Sequence, residues 1–191
     1  MIRTALVAVA ATLLLAGCFG PAPTTPTTPV DGGGDAPPTT VDPATGEVVS
    51  GTGYSYNAPE GWTLQTGNFG AGLDTVVADT NDTDGFSDNI NVIVSPAGEL
   101  SSDQIESLGV AELEGVGATG VTVQSRITVA GAESAHLTAS MSQQGTDYVI
   151  DQYYPTEPGQ TYIVTFSFSP NVSQGDRDAL AASVLASWQF Q

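Results

Sequence analysis

The sequence predicts an α+β fold in which helices flank an antiparallel β-sheet. Two observations indicate the sheet. Apolar and polar residues alternate along several segments between residues 89 and 168, and turn-forming residues separate one segment from the next. A third observation indicates the helices, because residues 101–115 and 176–187 place their apolar side chains at helical spacing. Such a sheet buries one face beneath the helices that pack on it.

The first predicted strands precede the first helix. The predicted segments are residues 54–57, the short apolar run 75–78, and residues 89–94, which alternate strictly. A Pro-Glu-Gly-Trp turn at 59–62 separates the first two segments.

Residues 101–115 form the first predicted helix. Ser101 and Gln104 have the spacing of a capping box at its start. The apolar face that begins at Ile105 also contains Glu112. Because a carboxylate disfavours burial, we expect this helix to be imperfect or to end early.

Four strands then follow as a meander, at residues 121–129, 135–141, 148–154 and 162–168. The segments that connect them contain Gly, Pro and Gln and are typical of turns. The second helix, 176–187, follows with Ser173 as its predicted cap and carries a continuous apolar stripe of Leu180, Val184, Leu185 and Trp188.

Short motifs across this region resemble those of the PsbP-like fold, and within it those of the LpqN-type bacterial lipoproteins. The motifs are Tyr54-Ser55-Tyr56, Pro59-Glu60-Gly61-Trp62, Phe86-Ser87-Asp88-Asn89-Ile90-Asn91-Val92, Val129-Ala130-Gly131, Tyr162-Ile163-Val164-Thr165-Phe166 and Ser187-Trp188-Gln189-Phe190. The resemblance implies a curved antiparallel sheet between helices. It also implies an accessory or binding role, and it transfers no catalytic motif.

The N-terminus has the three parts of a secretory signal peptide, residues 1–17. Arg3 is followed by an apolar run of eleven residues, which is too short to span a bilayer. Leu15-Ala16-Gly17-Cys18 then resembles a bacterial lipobox, in which the cysteine thiol receives lipid. We expect acyl chains such as palmitate on Cys18 to anchor the protein outside the cytoplasm, at the cell membrane, because two chains bind a bilayer stably.

Residues 18–53 are predicted to be a disordered tether between the lipid and a globular domain at 54–191. The tether is rich in Pro, Thr and Gly and has few large apolar residues, so burial cannot offset the entropy of ordering. Threonines in the tether are candidate sites of O-glycosylation.

The charge excludes one class of partner. Removal of Arg3 with the signal peptide leaves Arg126 and Arg177 against 21 acidic residues, a net charge of −19. Such a surface repels nucleic acid, so we expect none to bind. The acidity reflects either adaptation of the whole protein to its surroundings or a cationic partner or metal.

No catalytic centre is apparent in the sequence, and we expect neither an enzyme nor a cofactor. His136 is the only histidine, no Gly-x-Ser-x-Gly elbow occurs, and the single cysteine lies in the lipobox. His136 is predicted to be exposed or to line a groove. Tyr153, on the strand face opposite Tyr148 and Tyr154, is predicted to point outward, so His136 and Tyr153 are the candidate residues of a groove for a ligand or partner. The alternative is that the aromatic residues only pack against one another.

The acidic segment 79–88 has an alternative interpretation as a calcium loop. If Gly85 is aligned with the invariant glycine of an EF-hand, Thr80 takes the first position and Asn91 the last. Both charged ligands are then missing at these positions, so we expect a solvated hairpin loop. Weak calcium binding remains an alternative.

Two functions are consistent with these observations. The first is a lipid-anchored, non-catalytic module that binds a protein partner in the cell envelope. The second is an extracytoplasmic carrier or chaperone of a lipid or small ligand. An enclosed apolar cavity would favour the carrier, and an exposed apolar patch would favour the partner module.

Overall fold

The computed structural model describes residues 41–67 and 72–191. Within these ranges the chain forms two helices and a set of short and long strands. They are, in order, β1 (Val48–Gly51), β2 (Tyr54–Asn57), β3 (Thr63–Leu64), β4 (Leu73–Ala78), β5 (Asn89–Val94), α1 (Ser102–Gly115), β6 (Thr119–Val123), β7 (Ile127–Val129), β8 (Ala132–Ser134), β9 (His136–Gln143), β10 (Thr146–Tyr153), β11 (Thr156–Glu157), β12 (Gln160–Phe168), α2 (Gln174–Ala186) and β13 (Gln189–Phe190).

The predicted α+β fold is confirmed. The main sheet has the strand order β3-β4-β5-β12-β10-β9-β6, with β11 paired to β12, and every pair in it is antiparallel. A second sheet has the order β1-β2-β13, and β7 pairs with β8 in a separate hairpin. The predicted meander corresponds to β6, β9, β10 and β12, which are neighbours in the main sheet. Its first strand, predicted as one segment at 121–129, is divided in the structure: β6 ends at Val123, and β7 pairs with β8 outside the main sheet.

Both faces of the main sheet are covered. One face packs against α2 and the second sheet, around Tyr54, Phe166 and Trp188. The other face packs against α1, around Leu137 and Ile150. The central strand β12 is buried along almost its whole length because it has cover on both sides.

Helix α1 begins as predicted. The Ser101 hydroxyl accepts a hydrogen bond from the Gln104 backbone N–H at 3.3 Å, and Gln104 Oε1 accepts one from the Ser101 N–H at 3.0 Å. Gly109 allows the helix to approach the sheet closely, since a Cβ at this position would lie 2.6 Å from Leu137 Cδ1. Glu112 is part of the helix, which continues to Gly115.

The folded unit begins earlier than the predicted boundary at Tyr54. Strand β1 (Val48–Gly51) pairs with β2, and Val49 is completely buried. The Ala44 backbone N–H donates to the Ser183 carbonyl oxygen at 2.8 Å. Pairing with β2 and burial of Val49 hold this strand in place, and the composition of residues 18–53 as a whole gave no sign of it. Residues 1–17, Cys18 and the tether up to residue 40 lie outside the described residues.

Candidate functional site

A groove lies between α2 and the part of the main sheet formed by the ends of β9 and β10. Its volume is about 450 Å³. We call it the α2 groove, and it is lined by Gln124, Ser125, Ile127, His136, Tyr153, Gln174, Asp178 and Ala182.

His136 and Tyr153 come together in the α2 groove because they are directly paired across β9 and β10. Their rings stack with centroids 4.1 Å apart. Both are largely buried, with exposed fractions of 7% for His136 and 4% for Tyr153. The outward orientation predicted for Tyr153 is therefore wrong, because α2 covers the sheet face that alternation had assigned to solvent. His136 occupies a groove position, which was one of its two predicted placements.

A buried charge network lies beside these rings. The Asp151 carboxylate accepts a hydrogen bond from Arg177 Nε at 2.9 Å and lies 3.4 Å from His136 Nε2. Burial alone would raise the pKa of Asp151, but the bonds to His136 and Arg177 hold that pKa below its usual range. Asp151 side-chain exposure is only 1%, so Arg177 provides the counter-charge that this carboxylate needs.

The chemistry available to His136 is limited by these contacts. Among the described residues, Asp151 is the only hydrogen-bond partner of its ring. Asp151 is also bound to Arg177, which anchors α2 against β10. We therefore infer that this network holds α2 and the walls of the α2 groove in place.

The acidic segment between β4 and β5 is a hairpin loop. Three of its carboxylates accept hydrogen bonds from the backbone N–H two residues further along: Asp79 from Asn81, Asp82 from Asp84, and Asp84 from Phe86. Such local bonds stabilise turns. Within residues 41–67 and 72–191, no group of three or more His, Cys, Asp or Glu side chains is arranged to hold a metal ion.

The last acidic residue of this loop is buried. Asp88 is 8% exposed, and its Oδ1 accepts a hydrogen bond from the Ser169 N–H at 2.8 Å. Burial raises the pKa of Asp88 to about 6, and the Ser169 bond only partly opposes this. The carboxylates of Asp82 and Asp84 add to the rise.

Replacement of Asp88 by asparagine is expected to flatten the dependence of stability on pH. In the folded state the pKa of Asp88 is about 6, above its ordinary value of 3.8. Protonated Asp88 therefore stabilises the fold fully when the pH is below 3.8, and this stabilisation is lost as the pH rises through about 6. The loss is at most about 2 kcal/mol after allowance for partial hydration. Asp88→Asn keeps an oxygen acceptor for Ser169 and should be more stable than the wild type at neutral pH.

Urea unfolding at a series of pH values between about 4 and 8 measures this effect. Glu60→Gln, which removes one charge from an exposed turn, is the matched control. Parallel pH profiles for the wild type and Asp88→Asn would show that this carboxyl group is not responsible.

No protein-family model matches the chain, and a search of curated proteins also gave no match. Solved structures do match it. The solution structure of the cyanobacterial PsbP protein (CyanoP) from Synechocystis sp. PCC 6803 has a TM-score of 0.55 at 18% sequence identity, over 83% of this chain and 98% of that one. The chain has the PsbP-like fold. Its main sheet with a helix on each face is the architecture that the sequence motifs implied.

Two further structures are similar to this PsbP-like chain. LpqN of Mycobacterium tuberculosis, described as involved in cell envelope biogenesis, matches with a TM-score of 0.49 at 16% identity, over 74% of this chain and 84% of LpqN. A protein from Bacteroides thetaiotaomicron matches with the same TM-score and identity, over 73% of this chain. The present chain covers only 45% of that Bacteroides protein.

The PsbP-like domain, as far as it is described, contains no helix that is long and apolar enough to cross a membrane. Sequence reasoning identified His136 and Tyr153 but missed Asp151 and Arg177. Two features of the sequence could have pointed to Arg177. It is one of only three cationic residues in the chain, and it lies on the same side of the second helix as the apolar stripe.

Proposed function

We propose that this protein is a lipoprotein held at the extracytoplasmic side of the cell membrane by lipid on Cys18. Its PsbP-like domain is a non-catalytic accessory module that binds a protein partner of the cell envelope. The α2 groove is the binding site in this proposal, and the lipobox is the basis for the location.

The α2 groove is the observation that carries the proposal. It is open to solvent and combines aromatic and apolar side chains, such as Tyr153 and Ile127, with polar groups at its rim, such as Gln174 and Asp178. A mixed lining of this kind suits a segment of protein chain, which offers both apolar side chains and backbone polar groups. Because the groove walls are tied together by Asp151 and Arg177, little ordering is needed on binding.

The charges of the domain favour a cationic partner surface. Both arginines of the folded domain are already engaged, Arg177 with Asp151 and Arg126 with Asp103, Glu106 and Glu133. The field around the domain is therefore negative, and it would speed association with a positively charged protein.

The volume of the α2 groove favours a second candidate function, the carrier of a lipid or small ligand. About 450 Å³ lies within the range of roughly 300–1,000 Å³ that is typical of small-molecule sites. In contrast, the two spaces between α1 and the sheet have volumes of only about 30 and 20 Å³. Another hollow, beside Ser140 and Tyr148, has a volume of about 330 Å³, so the α2 groove offers a carried ligand the larger space.

The anchor is tested by replacement of Cys18. Cys18→Ala removes the thiol that receives lipid, so the protein should move from the membrane pellet to the supernatant after cell fractionation. The control Thr24→Ser, in the predicted tether, should stay in the pellet. Retention of Cys18→Ala in the pellet would contradict lipid anchoring.

The binding site is tested by crosslinking in cells. A photoreactive amino acid replaces Gln174 at the rim of the α2 groove, and a second version carries it at Glu60, on an exposed turn away from the groove. Mass spectrometry identifies captured proteins and lipids. One reproducible protein captured only from position 174 supports the partner module, and a lipid captured there without a protein supports the carrier. Identical capture from both positions would exclude the groove as the site.

A further inference from the structure

A polar patch lies beneath α1, on the face of the main sheet opposite the α2 groove. It is formed by Asn91, Gln152, Thr165 and Ser167, which lie on three adjacent strands. Gln152 and Thr165 are paired across β10 and β12, and Gln152 Nε2 donates to Thr165 Oγ1 at 2.9 Å. The Tyr154 hydroxyl donates to Gln152 Oε1 at 2.8 Å. Polar oxygens are therefore concentrated on a face that is otherwise apolar.

Glu112 extends towards this patch from the last turn of α1. Its side chain is half-buried, and its Oε1 atom is buried without a hydrogen-bond partner among the described residues. Burial raises the pKa of Glu112. The C-terminal end of a helix carries partial negative charge, and α1 has no basic residue in its last turn. A carboxylate in this position requires a proton or a positive charge beside it.

No cationic side chain among residues 41–67 and 72–191 fills this role. Within residues 41–67 and 72–191, Arg126 pairs with three carboxylates and Arg177 pairs with Asp151, and the whole chain contains no lysine. If Glu112 is ionised rather than protonated, its counter-charge comes from outside the described residues, and the solvent can supply one.

The space between Glu112 and the patch limits what can enter. We call it the α1 cavity. Its volume is about 30 Å³, and Ile93, Ile150 and Ile163 are among its apolar walls. One water molecule needs roughly 10–15 Å³, so the cavity holds about two particles of that size. An organic amine or a lipid is too large. A calcium ion is a poor fit too, because it takes about six to eight oxygen ligands and usually several carboxylates.

We propose that the α1 cavity binds one small monovalent cation, Na⁺ or K⁺, which is held by the Glu112 carboxylate and by neutral oxygens of the polar patch. Carboxylate, amide and hydroxyl oxygens are the ligands that hard cations prefer. The single carboxylate matches a single positive charge. Bound to the folded state alone, the ion fastens the end of α1 to the sheet. This site is separate from the α2 groove, and it stands whether or not the proposed function is correct.

The test compares three chloride salts at equal ionic strength near neutral pH. The melting temperature is measured in about 100 mM NaCl, KCl or choline chloride, which screen surface charges equally. Choline is too large for the α1 cavity. The proteins are the wild type, Glu112→Gln, and Glu114→Gln as a matched control, because Glu114 is exposed on the same helix turn. Glu112→Gln keeps the size of the side chain and removes its charge.

The proposal predicts a higher melting temperature in NaCl or KCl than in choline chloride, for the wild type and Glu114→Gln but not for Glu112→Gln. At about ten times the dissociation constant, the cation would raise the folded-to-unfolded ratio about elevenfold and the melting temperature by about 3–6 °C. Equal melting temperatures of the wild type in all three salts would overturn the proposal, and so would an ion-specific difference that persists in Glu112→Gln. In crystals grown with thallium(I), an anomalous peak beside Glu112 would support it, and a cavity without such a peak would refute it.

Discussion

Arg177→Met is expected to destabilise the domain by about 3–5 kcal/mol, the cost of leaving a buried charge without its partner. Arg177 Nε donates to Asp151 Oδ2 at 2.9 Å, and the exposed fractions of the two side chains are 12% and 1%. Methionine retains much of the volume of the arginine stem but provides no charge. Asp151 then has only the ring of His136, 3.4 Å away.

The loss of stability caused by Arg177→Met should become smaller as the pH is lowered. In the wild type the pKa of Asp151 is held down, so its ion pair contributes above the ordinary aspartate pKa and is lost as the pH falls through the folded-state value. In the variant that contribution is already missing, and protonation of Asp151 removes the unpaired charge. Urea unfolding at neutral and acidic pH measures both effects.

Two further variants make the Arg177 result specific. Asp151→Asn combined with Arg177→Met removes both charges and should recover a large part of the lost stability, because no charge is left buried. Arg126→Met removes the other arginine of the domain, whose three carboxylate partners lie at the surface, and should change stability little. Equal losses for Arg126→Met and Arg177→Met would contradict the view that Asp151 needs Arg177.

Trp188→Ala is expected to cost about 3–5 kcal/mol, as is typical when a large buried aromatic residue is truncated. Trp188 is 3% exposed and lies between α2 and β13. Its ring stacks on Tyr54 with centroids 4.6 Å apart and on Tyr56 with centroids 5.8 Å apart. Removal of the indole leaves a cavity where α2, the second sheet and the main sheet meet.

Trp188→Phe is the matched control for this position. The indole Nε1 is buried and has no hydrogen-bond partner among the described residues, so loss of its N–H group carries no further penalty. Phenylalanine keeps an aromatic ring against Tyr54, and the cost should be less than about 2 kcal/mol. Equal destabilisation by alanine and phenylalanine would mean that ring stacking at Trp188 does not hold these elements together. Urea unfolding followed by circular dichroism provides the measurement.

Much of the fold could be predicted because its signals are local. The capping box of Ser101 and Gln104 formed as expected, since both residues lie within one helical turn. Alternation predicted a strand at residues 162–168, and β12 (Gln160–Phe168) is that strand. The first hairpin was missed, because β1 is held by pairing with β2 rather than by its own composition.

The candidate site was only partly predictable. His136 and Tyr153 could be assigned to one face of two strands by their spacing, but exposure depends on what covers that face. Helix α2 covers that face, and the spacing of residues within β9 and β10 contains no information about where α2 packs. Asp151 and Arg177 are 26 positions apart, so their ion pair exists only once α2 packs on β10.

The sequence by itself determined both helices, most strands of the main sheet and the strong negative charge of this protein, because each depends on neighbouring residues or on composition. The prediction of a lipid anchor at Cys18 rests on the sequence in the same way. Only the tertiary structure decided which polar groups are buried and what they face. Glu112 illustrates the difference. The sequence showed a carboxylate on an apolar helix face, and packing of α1 on the main sheet put that carboxylate beside a small, largely apolar cavity whose lining also includes Gln152 and Thr165. Desolvation depends on contacts between distant segments, and those contacts form only in the folded chain.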